Sequence, residues 1–259
     1  MELTINQLLE GKATKIKNKD YLPTHCYVEP FLERMSKITD DFRVQVKLPD
    51  QVTCSGPGDG EHKDDITYNR VLIQAVLPDN PFDNHKEVVG MVYGLDVRKP
   101  LVKIYRGAIN CACTNLCIFD PSFLNVQFIE QGKGISYKPV EYLLERESEM
   151  RLMLETLQNT EWDGSPQNIE SNLGKWIRAA LSSEYENGYG KIKLGTDTVI
   201  KAYSSMFIDH ESPYFIGEGN NVDMFTVYNA FTELISNDGG KDIMNKCEKT
   251  ILLRQILNF

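Results

Sequence analysis

The sequence lacks the signatures of common catalytic sites. Its 259 residues include only four histidines, and none of them has the spacing of a metalloprotease or zinc-finger motif. They are His25, His62, His85 and His210. The glycines at 56–60 are not followed by the lysine and hydroxyl residue of a phosphate-binding loop, and no kinase, dinucleotide or nucleophile-elbow motif is present. The sequence therefore predicts a protein that is not an enzyme and that carries no metal and no cofactor.

Long apolar runs and an excess of basic residues are also missing. No stretch approaches the roughly 20 apolar residues that span a bilayer, and the first 20 residues lack the apolar segment of a signal peptide. We therefore expect a cytoplasmic protein, in the cell that makes it, with reduced thiols and no membrane partner. The net charge is -9, from 28 basic and 37 acidic residues. Such a balance disfavours a broad nucleic-acid-binding face, and it suits solubility or docking on a basic protein.

The hydrophobic pattern changes along the chain. Alternating runs in the first half predict strands, and Phe31, Leu32, Met35 and Ile38 predict a helix over 29–38. The strands are expected at 42–48, 66–77, 88–95, 101–109 and 123–130. A helical period from Pro139 onward predicts helices over 139–159, 168–183, 196–208, 223–237 and 241–257. We expect an α+β fold in which residues 1–138 form a β-rich core with an antiparallel or mixed sheet. Residues 139–259 would form a helical region that packs on the sheet or extends as arms.

Three cysteines lie close together at Cys111, Cys113 and Cys117. A zinc site would favour a C-x₂-C pair and a second pair of ligands, with only His25 and Cys26 as a conceivable complement. Burial in the core or in a tight turn is the favoured interpretation. Zinc binding, a catalytic thiol and an intermolecular disulfide are the alternatives. If the segment is exposed, these cysteines become candidates for contact with a partner or a second copy.

Basic and aromatic side chains alternate in a predicted strand. Lys103 and Tyr105 share one face, and Arg98 and Arg106 flank them. Such a combination of cations and rings could hold single-stranded nucleic acid. An exposed strand face with solvated basic side chains is the favoured interpretation.

Two short motifs together carry a family resemblance. The first is Arg106-x₄-Cys111-x-Cys113-Thr114-Asn115-Leu116, and the second is Val227-Tyr228-Asn229-Ala230-Phe231-Thr232-Glu233. The pair resembles a phage- and plasmid-borne family of unknown function, whose members carry Arg, then Cys-x-Asn, then an Asn-Ala-x-Thr-Glu helix. Many members follow Cys-x-Asn with an Arg-His pair, where this chain has Phe119-Asp120. The resemblance implies a phage or mobile-element source and no particular reaction.

The polar residues of these motifs also suit a structural role. Asn115 and Asn229 could cap or bridge backbone groups where a strand turns and a helix docks. Thr232 and Glu233 lie one helical turn beyond Asn229 and could complete a polar network under the sheet. A packing motif without chemistry is the favoured interpretation.

In size, acidity and absence of catalytic signatures, the chain is also similar to the phage Gabija anti-defence proteins, which wrap the Gabija nuclease–helicase assembly. That resemblance implies a non-enzymatic inhibitor that binds and blocks a host defence complex. The main alternative is a single-stranded-DNA-binding or annealing protein of a phage or plasmid. A metal-dependent enzyme and a virion component are further alternatives. Self-association into a homo-oligomer is also expected, because the predicted helix over 139–159 carries more apolar residues than one sheet can cover.

Overall fold

The structure is a computed structural model that describes most of the chain in several stretches. They are residues 9, 14–16, 19–47, 70–78, 85–94, 100–110, 116–186, 191–217, 219–237 and 243–259. The sequence also predicts a short helix around 5–9 and a loop at 55–65, and apart from residue 9 both lie outside these residues. Within them, strands dominate the N-terminal half and helices dominate the C-terminal half, which confirms the α+β prediction.

The chain divides into two units. The first comprises Met1–Arg106 and Leu124–Glu145, and the second comprises Gly107–Phe123 and Arg146–Phe259. The predicted division at 138/139 is therefore seven residues from the division at 145/146. The second unit also contains residues 107–123, which the sequence analysis assigned to the β-rich region.

Twelve strands lie in the described residues. They are β1 (Thr14–Ile16), β2 (Lys19–Tyr21), β3 (Phe42–Lys47), β4 (Arg70–Val76), β5 (His85–Gly94), β6 (Leu101–Asn110), β7 (Leu116–Cys117), β8 (Leu124–Phe128), β9 (Glu161–Trp162), β10 (Tyr185–Glu186), β11 (Lys191–Ile192) and β12 (Val222–Asp223). The main sheet has the order β3-β4-β5-β6, and β8 pairs with the first half of β6. The end of β6 pairs with β7 in the second unit. The pairing is antiparallel between β3 and β4, between β4 and β5, and between β6 and each of β7 and β8.

Two helices with described bounds belong to the first unit, α1 (Thr24–Met35) and α2 (Lys138–Glu145). Helix α1 begins five residues before its predicted start, because the buried side chains of Thr24, Tyr27 and Val28 extend its apolar stripe. The ring of Tyr27 stacks on Tyr93 of β5 at a centroid distance of 5.3 Å. Helix α1 therefore covers one face of the sheet.

Five helices lie in the described residues of the second unit. They are α3 (Glu147–Asn159), α4 (Pro166–Ser182), α5 (Thr196–Phe207), α6 (Met224–Asn237) and α7 (Ile243–Leu257). Helix α7 has buried side chains all round from Cys247 to Leu253, as expected of a helix inside a core rather than on its surface. Elsewhere in this unit, the ring of Trp162 stacks on the rings of Trp176 and Phe207.

The predicted single helix over 139–159 is wrong, since it is interrupted at Arg146. This residue has φ -91° and ψ 24°, outside helical geometry. Its guanidinium lies 5.0 Å from the ring centre of Phe123 and pairs with Glu149. These contacts fix Arg146 in the turn between α2 and α3.

Candidate functional site

Arg106 lies at the end of the first unit's part of β6 and is fully buried. One terminal nitrogen forms an ion pair with Glu87 of β5, and both side chains are only 1% exposed. The other, Nη1, donates to the carbonyl oxygens of Leu143 at 3.0 Å and Leu144 at 3.3 Å. These carbonyls lie in the last turn of α2, where a helix leaves acceptors unsatisfied and carries partial negative charge. Arg106 therefore holds two strands and a helix end together.

Lys103 and Tyr105 point to the opposite face of β6 from Arg106, because side chains alternate along a strand. The hydroxyl of Tyr105 accepts a hydrogen bond from Gln74 Nε2 at 3.1 Å. Its ring occupies the space beside Gly90, where a Cβ atom would lie 2.1 Å from the ring. The sequence contains this glycine in a buried strand because only a missing side chain leaves room for the ring.

The favoured prediction of an exposed strand face with solvated side chains is wrong for these residues. Lys103 is 1% exposed, and Tyr105 and Arg106 are fully buried. Side chains at this depth do not present cations and rings to a nucleic-acid strand. Arg98, the remaining member of the alternative groove, lies outside the described residues.

Cys117 is buried, as are its neighbours from Leu116 to Phe119. It pairs with Ala108 across β6 and β7, and its carbonyl oxygen lies 2.6 Å from the position of a Cβ atom on Gly107. Core packing, the favoured interpretation, is what the structure shows for this cysteine. It is not a surface contact for a partner. Cys111 and Cys113 lie outside the described residues.

A buried polar cluster lies directly after Cys117. The amide of Ile118 donates to Thr250 Oγ1 at 3.2 Å, and the hydroxyl of Tyr228 donates to the carbonyl oxygens of Ile118 at 3.5 Å and Thr250 at 3.4 Å. Burial raises the pKa of Tyr228 well above its usual value, and the nearby Cys117 adds to this effect. The hydroxyl therefore stays protonated and acts as a donor. The cluster ties segment 116–119 to α6 and α7.

Sequence reasoning did not single out Tyr228 or Thr250. Tyr228 is part of the quoted helix motif, next to Asn229. The available signal was a tyrosine within an otherwise apolar stretch, which usually needs a hydrogen-bond partner when it is buried.

Among the described residues, the hydrogen bond of the α6 motif stays within the helix, which fits the favoured interpretation of a packing motif. Thr232 Oγ1 donates to the carbonyl oxygen of Asn229 at 3.1 Å, a bond within the helix itself. Asn229 is 5% exposed, and its Oδ1 accepts no hydrogen bond from the residues that the structure describes. Glu233 is half-buried, and burial raises its pKa. Asn115 lies outside the described residues.

No metal-binding group forms in the part of the chain that the structure describes, where no three His, Cys, Asp or Glu side chains come together. Among the described cysteines, Cys26 is half-buried, and Cys117 and Cys247 are buried. None of the described helices is both long and apolar enough to cross a lipid bilayer.

The exposed surface of the second unit is acidic and carries large apolar side chains. Leu152 and Leu181 are 63% exposed, and Ile208 is 61% exposed. Exposed acidic residues outnumber exposed basic ones among the described residues of this unit. The acidic ones are Glu147, Glu149, Glu155, Glu161, Asp163, Glu170, Glu184, Glu186, Asp197, Asp209 and Glu211, and the basic ones are Lys175, Arg178, Lys191, Lys193 and Lys201.

Comparison with known proteins adds no identification. No protein-family model matches this chain, and no curated protein and no solved structure was found to be similar to it.

Proposed function

We propose that this protein acts by binding another macromolecule, as a phage-encoded inhibitor that blocks a host anti-phage defence complex of the Gabija nuclease–helicase type. The observation that carries the proposal is the acidic surface of the second unit with the exposed side chains of Leu152 and Ile208. A complex that handles DNA needs basic surfaces for phosphate, and an acidic protein complements such surfaces. Exposed apolar side chains supply the anchors that are desolvated at an interface.

Helix α3 offers the clearest example of such a surface. Glu149, Leu152, Glu155 and Asn159 follow each other at spacings of three and four, so they lie on one side of the helix, and all four are exposed. Leu152 lies between two carboxylates on this face. It is suited to a shallow apolar pocket that is bordered by lysine or arginine.

Co-elution with the purified nuclease–helicase complex tests this proposal. We expect a stoichiometric complex on gel filtration, and we expect Leu152→Asp combined with Glu155→Lys to weaken it. Lys201→Glu, on α5, provides a control for a change of surface charge elsewhere in the unit. Failure of the unaltered protein to co-elute with the complex would argue against the proposal.

Single-stranded DNA binding is the competing outcome. Fluorescence anisotropy with a labelled oligonucleotide, measured at rising salt, detects it as an affinity that falls steeply with ionic strength. The burial of Lys103, Tyr105 and Arg106 provides no surface for such binding, so we expect no salt-dependent signal.

A further inference from the structure

Helix α4 presents a regular exposed face that none of the described residues of the second unit covers. Gln167, Glu170, Gly174, Ile177 and Leu181 follow each other at spacings of three, four, three and four. This is the spacing of the contact positions between two packed helices. Gln167, Glu170 and Leu181 are exposed, and Gly174 and Ile177 are half-exposed. The buried side chains Ile169, Trp176 and Ala180 lie on a different side of the helix.

Gly174 lies at the middle of this face. A glycine inside a helix is destabilising relative to alanine, so it needs a reason. A Cβ atom at this position would meet only the guanidinium of Arg178, at 3.5 and 3.9 Å. Packing within the described residues therefore does not require a glycine. The backbone of another helix can come close to the glycine when the Arg178 side chain, which now lies beside it, turns toward that helix.

The charges on the face are placed symmetrically about the glycine. Glu170 is four residues before Gly174, and Arg178 is four residues after it. Eight residues of helix separate the two charges by about 12 Å along the axis, so they are too far apart to pair with each other. Each charge therefore needs a neighbour from outside its own helix if it is to be paired on this face.

From this arrangement we propose that two copies of this chain associate through α4, with the helices antiparallel and the two-fold axis at Gly174. Antiparallel alignment places Glu170 of each copy opposite Arg178 of the other, so two ion pairs form. Parallel alignment would place Glu170 opposite Glu170 and Arg178 opposite Arg178, which opposes like charges. Such a self-complementary contact is the usual basis of a symmetric dimer. This inference is independent of the proposed inhibitor function.

The test exchanges the charges singly and then mixes the variants. Glu170→Arg places arginine opposite arginine, and Arg178→Glu places glutamate opposite glutamate, so each variant alone should dimerise less tightly by roughly tenfold or more. An equimolar mixture of the two restores both ion pairs, since each arginine then faces a glutamate. We expect sedimentation velocity to show dimer in the wild-type protein and in the mixture, and mainly monomer in each variant alone.

Two controls support the measurement. Lys175→Glu changes the charge of an exposed α4 residue next to the glycine but off the face, so it should leave dimerisation unchanged. Gly174→Cys lies on the proposed two-fold axis and should form an intermolecular disulfide under mild oxidation, whereas Lys175→Cys and the unaltered protein should not. Circular dichroism of every variant excludes loss of folding as the cause.

Any of three results would overturn the proposal. They are a wild-type protein that stays monomeric up to its solubility limit, single variants that dimerise as tightly as the wild type, and a mixture that does not restore the dimer. A fourth result would overturn it as well. If the single variants still dimerise like the wild type but no longer co-elute with the nuclease–helicase complex, the α4 face binds a different protein.

Discussion

The guanidinium of Arg106 and the carboxylate of Glu87 are paired at a depth where neither side chain meets solvent. Desolvation offsets much of the attraction in such a pair, so its net contribution to stability is small. Removing one partner has a much larger effect, because the other charge then stays buried without it. At the scale of single residues, the stability of the first unit is therefore sensitive to substitution of either member of this pair.

Arg106→Met should lower the free energy of unfolding by about 3–5 kcal/mol, because it leaves the buried Glu87 without its guanidinium and the end of α2 without its donor. Arg34→Met removes a largely exposed ion pair with Glu141, together with a hydrogen bond to the Pro30 carbonyl and a contact with the Tyr137 ring, and it should cost less, about 1–2 kcal/mol. Urea unfolding followed by circular dichroism measures both variants. Equal losses would contradict the structural role assigned to Arg106.

Gly90→Ala should destabilise the protein by about 1–3 kcal/mol, since the new methyl group overlaps the ring of Tyr105. Gly90→Ala should cost less stability when it is introduced into a Tyr105→Ala variant, because the smaller side chain at position 105 removes the overlap. Gly134→Ala serves as a control, as no atom lies within 4 Å of its Cβ position. Thermal unfolding of Gly90→Ala, Tyr105→Ala, the double variant and Gly134→Ala provides the comparison.

Asp120 makes stability depend on pH. Burial alone would raise the pKa of its carboxyl group, but hydrogen bonds from Ser122 and the charge of Arg254 outweigh burial and lower it. A lowered pKa stabilises the fold above the unfolded value, near 4, and this contribution is lost as the pH falls through the folded pKa.

Asp120→Asn should therefore lower the free energy of unfolding by about 0.5–1 kcal/mol at pH 7, a modest value because solvent screens the partly exposed pair. The difference from wild type should become smaller below pH 4. Urea titrations at pH 7 and pH 3.5 measure it, with Glu155→Gln as an exposed control. A loss of equal size at both pH values would exclude the ionic contribution.

At the scale of elements, periodicity located the helices and the longer strands. It missed the break at Arg146 and the two-residue strands, of which the pair β9 and β12 is an example. The strands pair only because Trp162 and Val222 meet in the fold, and the break depends on contacts with Phe123. Such contacts join residues far apart in the chain, so a local pattern does not contain them. The burial of Lys103 was missed for the same reason, because a charged side chain in an alternating strand looks exposed until the fold covers it.

Two glycines of the second unit should respond in opposite ways to alanine. Gly174→Ala lies inside α4, where the methyl group meets no backbone, and it should raise the free energy of unfolding by about 0.5–1 kcal/mol. Gly164→Ala places its methyl group 2.0 Å from the carbonyl oxygen of Asn220, and it should be destabilising. Chemical unfolding at low protein concentration separates these effects from any self-association. A destabilised Gly174→Ala variant would show that packing in the fold requires this glycine.

At the scale of the whole molecule, the chain crosses between the two units at 106/107, 123/124 and 145/146. Strand β6 runs through the first of these crossings without interruption. The two units are built from interleaved segments of the chain rather than from consecutive ones. We therefore expect them to unfold together.

Tryptophan fluorescence tests this expectation, because both tryptophans of the chain, Trp162 and Trp176, lie in the second unit. Their unfolding transition should coincide with the transition seen by far-ultraviolet circular dichroism, which reports on both units. Arg106→Met, in the first unit, should move both transitions by the same amount. A fluorescence transition unaffected by this change would show that the second unit unfolds on its own.

The proposed inhibitor function is tested most directly by DNA cleavage with the purified Gabija nuclease–helicase complex, titrated with this protein. The proposal predicts that cleavage falls to background as the protein approaches stoichiometry with the complex, and that Leu152→Asp combined with Glu155→Lys moves the midpoint to higher concentration. Cleavage that continues unchanged at a large excess of the protein would contradict it.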